Sequence, residues 1–352
     1  MKEVIKQILT TAAYAPSGDN SQPWRFEVHN SNIKQFNIPG KDNPTFNLKE
    51  RGSFIAHGAV IQNIVLLSQN FGYEAKVNLF PDNQNLNLVA EIDLIEKNID
   101  GDKNISAIIK KRETNRNPFE KQALKTEHKN QFEKIARTEP EVKFLLIEDK
   151  NKIIQIAESA SAAERTMLQF RPLHKDFFDL IRWNKAEESE KKYGMLIDTL
   201  ELQPPQKIIF RWFSNWDLSG ILRKINLPKI IAKENSKIYS SGPAIGALVI
   251  PDDSPKNYIK TGMLLQKIWL KATELGISIQ PIAGVLYLAR RLNDSGMPGL
   301  STELTNLINM SSKKIYDCFN ITNGIISMLF RLGFSKPASA RSAKFEPEIK
   351  EI

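Results

Sequence analysis

At 352 residues the chain exceeds what one hydrophobic core usually organises, while 41% apolar and 25% charged residues are ordinary for a globular protein, so two packed halves are expected. No apolar run approaches the ~20 residues that cross a bilayer, and Met1-Lys2-Glu3-Val4-Ile5-Lys6 lacks the apolar stretch of a signal peptide, which predicts a cytoplasmic protein without stable membrane insertion. One cysteine, Cys318, excludes an internal disulfide, four histidines disfavour a metal cage, and a net charge of +9 suits an anionic ligand, a nucleic acid or an acidic membrane surface.

Val4, Ile5, Ile8, Leu9 and Ala12 recur at helical spacing, and the helix they predict ends near Ala15-Pro16, because the residue before proline disfavours helical dihedrals. Trp24-Arg25-Phe26-Glu27-Val28 alternates as a half-buried strand does, which leaves Ser17 to Gln22 as a helix-to-strand loop. Ile55, Val60, Ile61, Ile64, Val65 and Leu67 predict a buried helix from Ile55 to Phe71 with Gly72 as its C-cap and His57 on its surface; a strand follows around 75–80. Arg112, Thr114 and Arg116 come next, then a helix over 125–136 and a strand over 142–147.

A long, mostly helical insertion, residues 157–238, is rich in aromatic residues and broken in the middle by Pro204-Pro205. Beyond it, Tyr258 to Leu275 reads as another buried helix ending in a glycine, Gly276, with the apolar stretch Ile277 to Ile282 behind it and a strand at 325–332. A slide of 204 positions aligns Ile55 with Ile259, Gly58 with Gly262, Gln62 with Gln266 and Gly72 with Gly276, without a gap. Apolar periodicity alone does not supply two glycines and a glutamine at a fixed offset, so the sequence predicts an internal duplication: a first half over 1–104 and a second over 105–352.

Two segments carry the chemistry. Arg112-Glu113-Thr114-Asn115-Arg116 presents two guanidinium groups around a hydroxyl, a fork that can hold a phosphate monoester, although a solvated charge run has the same spacing. The loop Ala15-Pro16-Ser17-Gly18-Asp19-Asn20-Ser21-Gln22-Pro23-Trp24 is the other. Together they resemble the nitroreductase-like flavin family, whose members open with Arg-x-Ser-x-Arg and continue, after a helix, with Ala-Pro-Ser-x-x-Asn-x-Gln-Pro-Trp.

Here the first half keeps the loop and begins too late for the arginines, while the second keeps Arg112, Thr114 and Arg116 but reads Arg137-Thr138-Glu139-Pro140-Glu141-Val142 where its loop should be. The resemblance, closest to the single-chain, lidded mycobacterial dormancy-associated type, implies an α+β nitroreductase-like fold. The same resemblance implies a tandem pseudo-dimer in one chain with a helical lid, holding one FMN at the seam and needing no second copy, as a monomer or weak homo-oligomer. It further implies that Pro16, Ser17, Asn20 and Gln22 approach the flavin, that Pro281, Ile282 and Gly284 form a turn against its ring, and that Arg341 reaches the phosphate, with Lys336 and Lys344 as weaker candidates. Ser17 and Asn20 have a simpler role open to them, closing the turn.

By the same resemblance, NADH or NADPH reduces the flavin and a nitro compound, quinone or related small molecule accepts the electrons, with no catalytic side chain required. A rival reading has the lid closed over a stored flavin. Arg211-Trp212-Phe213, Arg223-Lys224, Lys229 and Lys233 interleave charge and apolar surface in a way that suits a membrane; the simpler expectation is a lid helix packed inward with a solvated basic face. The spread of basic residues argues against nucleic acid as a partner.

Overall fold

The computed structural model describes all 352 residues, in an α+β arrangement of two sheets around a pair of long helices. The first helix, Lys2–Ala12, buries Ile5, Ile8, Leu9 and Ala12, the stripe its spacing predicts. In the strand Trp24–His29 the residues Trp24, Phe26 and Val28 face inward. It pairs antiparallel with Asn32–Asn37, and Leu88–Glu96 and Tyr73–Leu79 continue the sheet. On its other side lies a strand from the C-terminus, Glu348–Glu351, parallel to it with Phe26 opposite Ile349. The chain thus returns at its end to complete the sheet of its beginning.

The second sheet runs Lys143–Ile147, Ala244–Ile250, Ile325–Gly333, Ser278–Pro281, antiparallel throughout. Its strand Ala244-Ile245-Gly246-Ala247-Leu248-Val249-Ile250 is buried at every position, which accounts for a run without polar alternation.

Between the sheets the helices Arg51–Gln69 and Pro255–Glu274 pack on each other. Both are buried on nearly every side, so neither has a wholly polar face. A Cβ on Gly58 would lie 2.0 Å from the Ile259 carbonyl oxygen, and one on Gly262 would lie 1.9 Å from that of Ile55. The positions matched by the 204-residue slide therefore meet in space by a local two-fold. Gln266 Nε2 also donates to Asn63 Oδ1 at 2.8 Å across this interface. The helix pair joins both halves in one continuous apolar core, in place of two separate ones.

His57 differs from expectation. It is fully buried, with Nδ1 on Gln35 Nε2 (2.7 Å) and Nε2 on Asn37 Oδ1 (3.1 Å), because a helix packed all round offers it no surface.

The lid also departs later than the sequence suggests: helix Lys150–Ala160 runs through residue 157 into Ser161, and the lid ends with helix Leu227–Tyr239. It has a small core of its own around Leu168, Phe178, Ile181, Met195, Ile197 and Phe213. Pro204 and Pro205 open the helix Pro204–Ser214, where the missing N–H groups cost nothing. No helix is long and apolar enough to cross a membrane.

Candidate functional site

A cavity of about 1570 Å³ lies where the loop after the first helix, the segment 112–117, the turn before helix Gly284–Ser295, the lid and the C-terminal tail converge. In the loop Asp19, Asn20 and Gln22 take positive φ values of 46°, 59° and 51°, a region unfavourable to side chains, so the conformation must be held from outside. Ser17 Oγ accepts from the Gln22 amide at 3.0 Å. Asn20 Nδ2 donates to the carbonyls of Gly194 in the lid (3.2 Å) and Ala343 in the tail (3.0 Å), while its Oδ1 accepts from Lys344 Nζ (2.8 Å). Gln22 donates to the Asn20 carbonyl at 3.3 Å and accepts from the Phe345 amide at 3.1 Å. The loop is a clamp on lid and tail as well as a cavity wall.

Opposite it, helix Ile105–Lys111 gives way to extended chain at Arg112, and Thr114 bridges to Ile279 in parallel register. Alternation along an extended segment places residues 112, 114 and 116 on one side. Arg112 lies over the Trp269 ring at 4.6 Å and donates from Nη2 to the Tyr14 carbonyl at 3.3 Å; its Nε and Nη1 are buried without a partner. Burial, with Arg341 nearby, pushes it down to about 10 against the pull of Glu113. Lys344 Nζ donates to the Ala15 carbonyl at 2.9 Å, and burial together with Arg112 holds it well below the usual lysine range.

A buried guanidinium with unused donors, near enough to a half-buried ammonium for each charge to oppose the other, is costly unless an anion joins them. The donors present are of the kind that hold a phosphate: a guanidinium, an ammonium and the Thr114 hydroxyl.

Arg116 is spent differently, donating to the Thr199 carbonyl of the lid at 3.1 Å and contacting Met195 Sδ at 3.5 Å. Arg341 pairs with Glu113, its Nη2 2.6 Å from Oε2, at the exposed rim. The cavity also holds acids: burial raises Asp19 against the pull of Arg116, and burial plus Asp19 raises Asp42 further. Tyr239 donates its hydroxyl to Glu164, whose carboxyl is raised by burial and whose second oxygen has no partner.

Of the residues expected at the site, Pro16, Ser17, Asn20, Arg112, Thr114, Arg116, Pro281, Gly284 and Arg341 line this one cavity. Gln22 and Ile282 do not. The Gln22 amide is used up within the clamp, and Ile282 turns its side chain into the core while its N–H donates to the Leu329 carbonyl at 2.8 Å. Gly284 instead opens the helix Gly284–Ser295, whose first amides lack intrahelical acceptors and carry the positive end of the helix dipole.

Sequence reasoning underrated Lys344 and missed Asp19, Asp42, the Glu164–Tyr239 pair and Arg331. The last is fully buried and donates to the carbonyls of Ile238 (2.7 Å) and Asn117 (2.7 Å) and to Gln280 Oε1 (2.8 Å), so it ties lid, arginine segment and turn together.

No family model matches the chain. An assigned NAD(P)H nitroreductase of Mycobacterium tuberculosis is 32% identical over 80 residues, 23% of each chain. PigM of a Serratia species, also assigned as an NAD(P)H nitroreductase, is 26% identical over 113 residues, 31% of this chain and 30% of that one. These matches span less than a third of either relative's length. A Bacteroides fragilis nitroreductase crystallised with bound FMN aligns with 68% of this chain and 92% of its own at 10% identity, with a TM-score of 0.36. The chain is nitroreductase-like in sequence over the matched stretches.

Proposed function

We propose that the cavity binds one FMN per chain and that the protein is an NAD(P)H-dependent oxidoreductase passing electrons to a nitro compound, quinone or related acceptor. The observation that carries this reading is Arg112, a buried guanidinium with two unpartnered nitrogens near the half-buried ammonium of Lys344. A bound phosphate would satisfy both, with Thr114 as a neutral donor and Arg341 at the rim. The opening amides of helix Gly284–Ser295 present partial positive charge to the same space, which favours negative charge on a ligand. Bound there, FMN would supply hydride transfer; the chain's own residues bind, orient and screen it from water. The first half, 1–104, brings the loop and the second, 105–352, the arginines, so one chain supplies both walls and a second copy is unnecessary.

Storage of flavin is the second reading, favoured by the lid's bonds into the site, Asn20 to Gly194 and Arg116 to Thr199. Size argues for turnover: sites for drug-sized ligands occupy roughly 300–1,000 Å³, and about 1570 Å³ leaves room for a second molecule beside one flavin. Absorbance of the purified protein, with flavin released and counted per chain, tests the first claim. A count of zero after incubation with FMN overturns it. Anaerobic mixing with NADPH tests the second, since bleaching supports turnover and an unchanged oxidised spectrum leaves storage.

A further inference from the structure

The lid carries exposed apolar side chains beside the solvated basic residues expected of it. Its helices Pro204–Ser214, Ser219–Lys224 and Leu227–Tyr239 pack together, and Phe210, Phe213, Leu222, Leu227 and Ile231 turn inward around the lid's own core. A second apolar set is exposed: Ile208, Trp212, Leu218, Ile221 and Ile225, with Ile230 beside the cavity. Trp212 is 59% exposed, Ile221 69% and Ile225 63%, and positions 218, 221 and 225 share one side of a helical turn. Half of the large exposed apolar residues of the whole chain fall within 208–230, a clustering that scattered surface exposure does not give.

Charge follows the same face. Residues 204–238 hold seven Lys and Arg against Asp217 and Glu234, and Lys224, Lys229 and Lys233 are exposed beside the apolar set. The Arg211 guanidinium lies 5.5 Å from the centre of the Trp183 ring, on the same helix turn as Trp212. Aliphatic and tryptophan side chains rimmed by lysines complement an acidic lipid surface: the apolar groups enter the headgroup boundary and the ammonium groups meet lipid phosphates. The surface also meets the cavity, because Ile209 and Ile230 are both exposed on the lid and among the residues that line the cavity.

We propose that the outer face of the lid docks peripherally on an anionic lipid bilayer, with the cavity edge at Ile209 and Ile230 beside the lipid. Docking is independent of whether the cavity holds flavin. With no helix long enough to span, the contact is an interfacial one, reversible by salt.

The test is co-sedimentation of the full-length protein with vesicles of phosphatidylglycerol and phosphatidylcholine, against vesicles of phosphatidylcholine alone. Binding to the anionic vesicles at least tenfold above the neutral ones, weakened by 0.5 M salt, is the expected result. The triple variant Trp212→Ser, Ile221→Ser, Ile225→Ser and the charge variant Lys224→Glu, Lys229→Glu should each lower it tenfold or more. Both alter exposed side chains, so their unfolding midpoints should match that of the parent. Quenching by brominated lipid of emission that is lost in Trp212→Phe checks the orientation without relying on those variants. Equal binding to both vesicle types, or binding that the patch variants leave intact, overturns the proposal. So does a concentration-dependent dimer abolished by the triple variant in a protein that binds no vesicle, since a second copy then covers the face.

Discussion

Gly58 and Gly262 are partners in one contact made twice. Gly58 lies on the backbone of Ile259 and Met263, and Gly262 on that of Ile55 and Ala59, each residue of one set being the duplicate of its counterpart in the other. Any side chain at either glycine meets a carbonyl oxygen, which cannot rotate away as a flexible side chain can. Gly58→Ala and Gly262→Ala should each cost about 2–3 kcal/mol, the upper range for overpacking a well-filled core. The double variant should cost less than the sum, because one substitution already forces the helices apart. Urea unfolding of the three variants checks both claims; additive losses would mean that the two contacts yield independently.

Arg112 should show opposite effects with and without ligand. In the free protein two of its nitrogens are buried without a partner and its one bond, to the Tyr14 carbonyl, is long, so Arg112→Met should leave the unfolding midpoint unchanged or raise it, whereas Lys344→Met also strips the Ala15 carbonyl and Asn20 Oδ1 of their donor and should lower it. For FMN the same substitutions should weaken binding by about 10–100-fold, the range for a charged hydrogen bond. Riboflavin, which lacks the phosphate, should be affected little. Titration of the variants with both flavins checks this; equal losses for the two would place the cations elsewhere than at the phosphate.

His57 should govern part of the acid limb of stability. Burial lowers it to about 3 from an unfolded value near 6.5, against the pull of the Pro23 carbonyl. Between these values the unfolded chain binds a proton that the folded one refuses, so the stability His57 contributes is complete above pH 6.5 and is lost as the pH falls toward 3. The full span is on the order of 5 kcal/mol. Asp19 and Asp42, both raised by burial, act in the opposite sense as the pH rises from the ordinary aspartate value, so the histidine is read as a difference. Unfolding free energies of the parent and His57→Gln from pH 7 to 4 should converge as the pH falls; parallel curves would show that His57 does not titrate in this range.

The parts of the site legible in the sequence are those that fall within a few residues of each other. The Pro16–Trp24 loop and the Arg112–Arg116 run announce themselves by residue type, and the central helices by two glycines at a common offset. Lys344 does not, because it sits in a tail without periodicity and takes its role from Asn20 and Ala15, more than 300 positions away. Asp42 reaches the cavity from a loop that the reading left unassigned. The edge strand Glu348–Glu351 is mostly charged, and its pairing with Trp24–His29 is made by backbone groups that side chains do not report. On the lid, periodicity identified amphipathic helices, but it could not tell which apolar residues would stay exposed.

Arg331 is the strongest case of a residue whose role is tertiary. Read in the strand Ile325–Gly333, it is a polar interruption of an apolar run; in the fold its guanidinium, lowered by burial to about 9, lies 3.8 Å from the Phe119 ring centre and supplies donors to Ile238, Asn117 and Gln280. Replacing it with methionine keeps the bulk and strips those acceptors at once. Buried acceptors left without donors cost about 1–3 kcal/mol each, so Arg331→Met should lose about 3–5 kcal/mol, at the upper end for a single substitution. The damage should concentrate where the donors went: at the end of the lid beside Ile238 and at the Gln280–Gly284 turn. Hydrogen exchange on the full-length variant should speed up in those two segments before it does in the central helices, and uniform acceleration would make Arg331 a core residue without a special tie to the site.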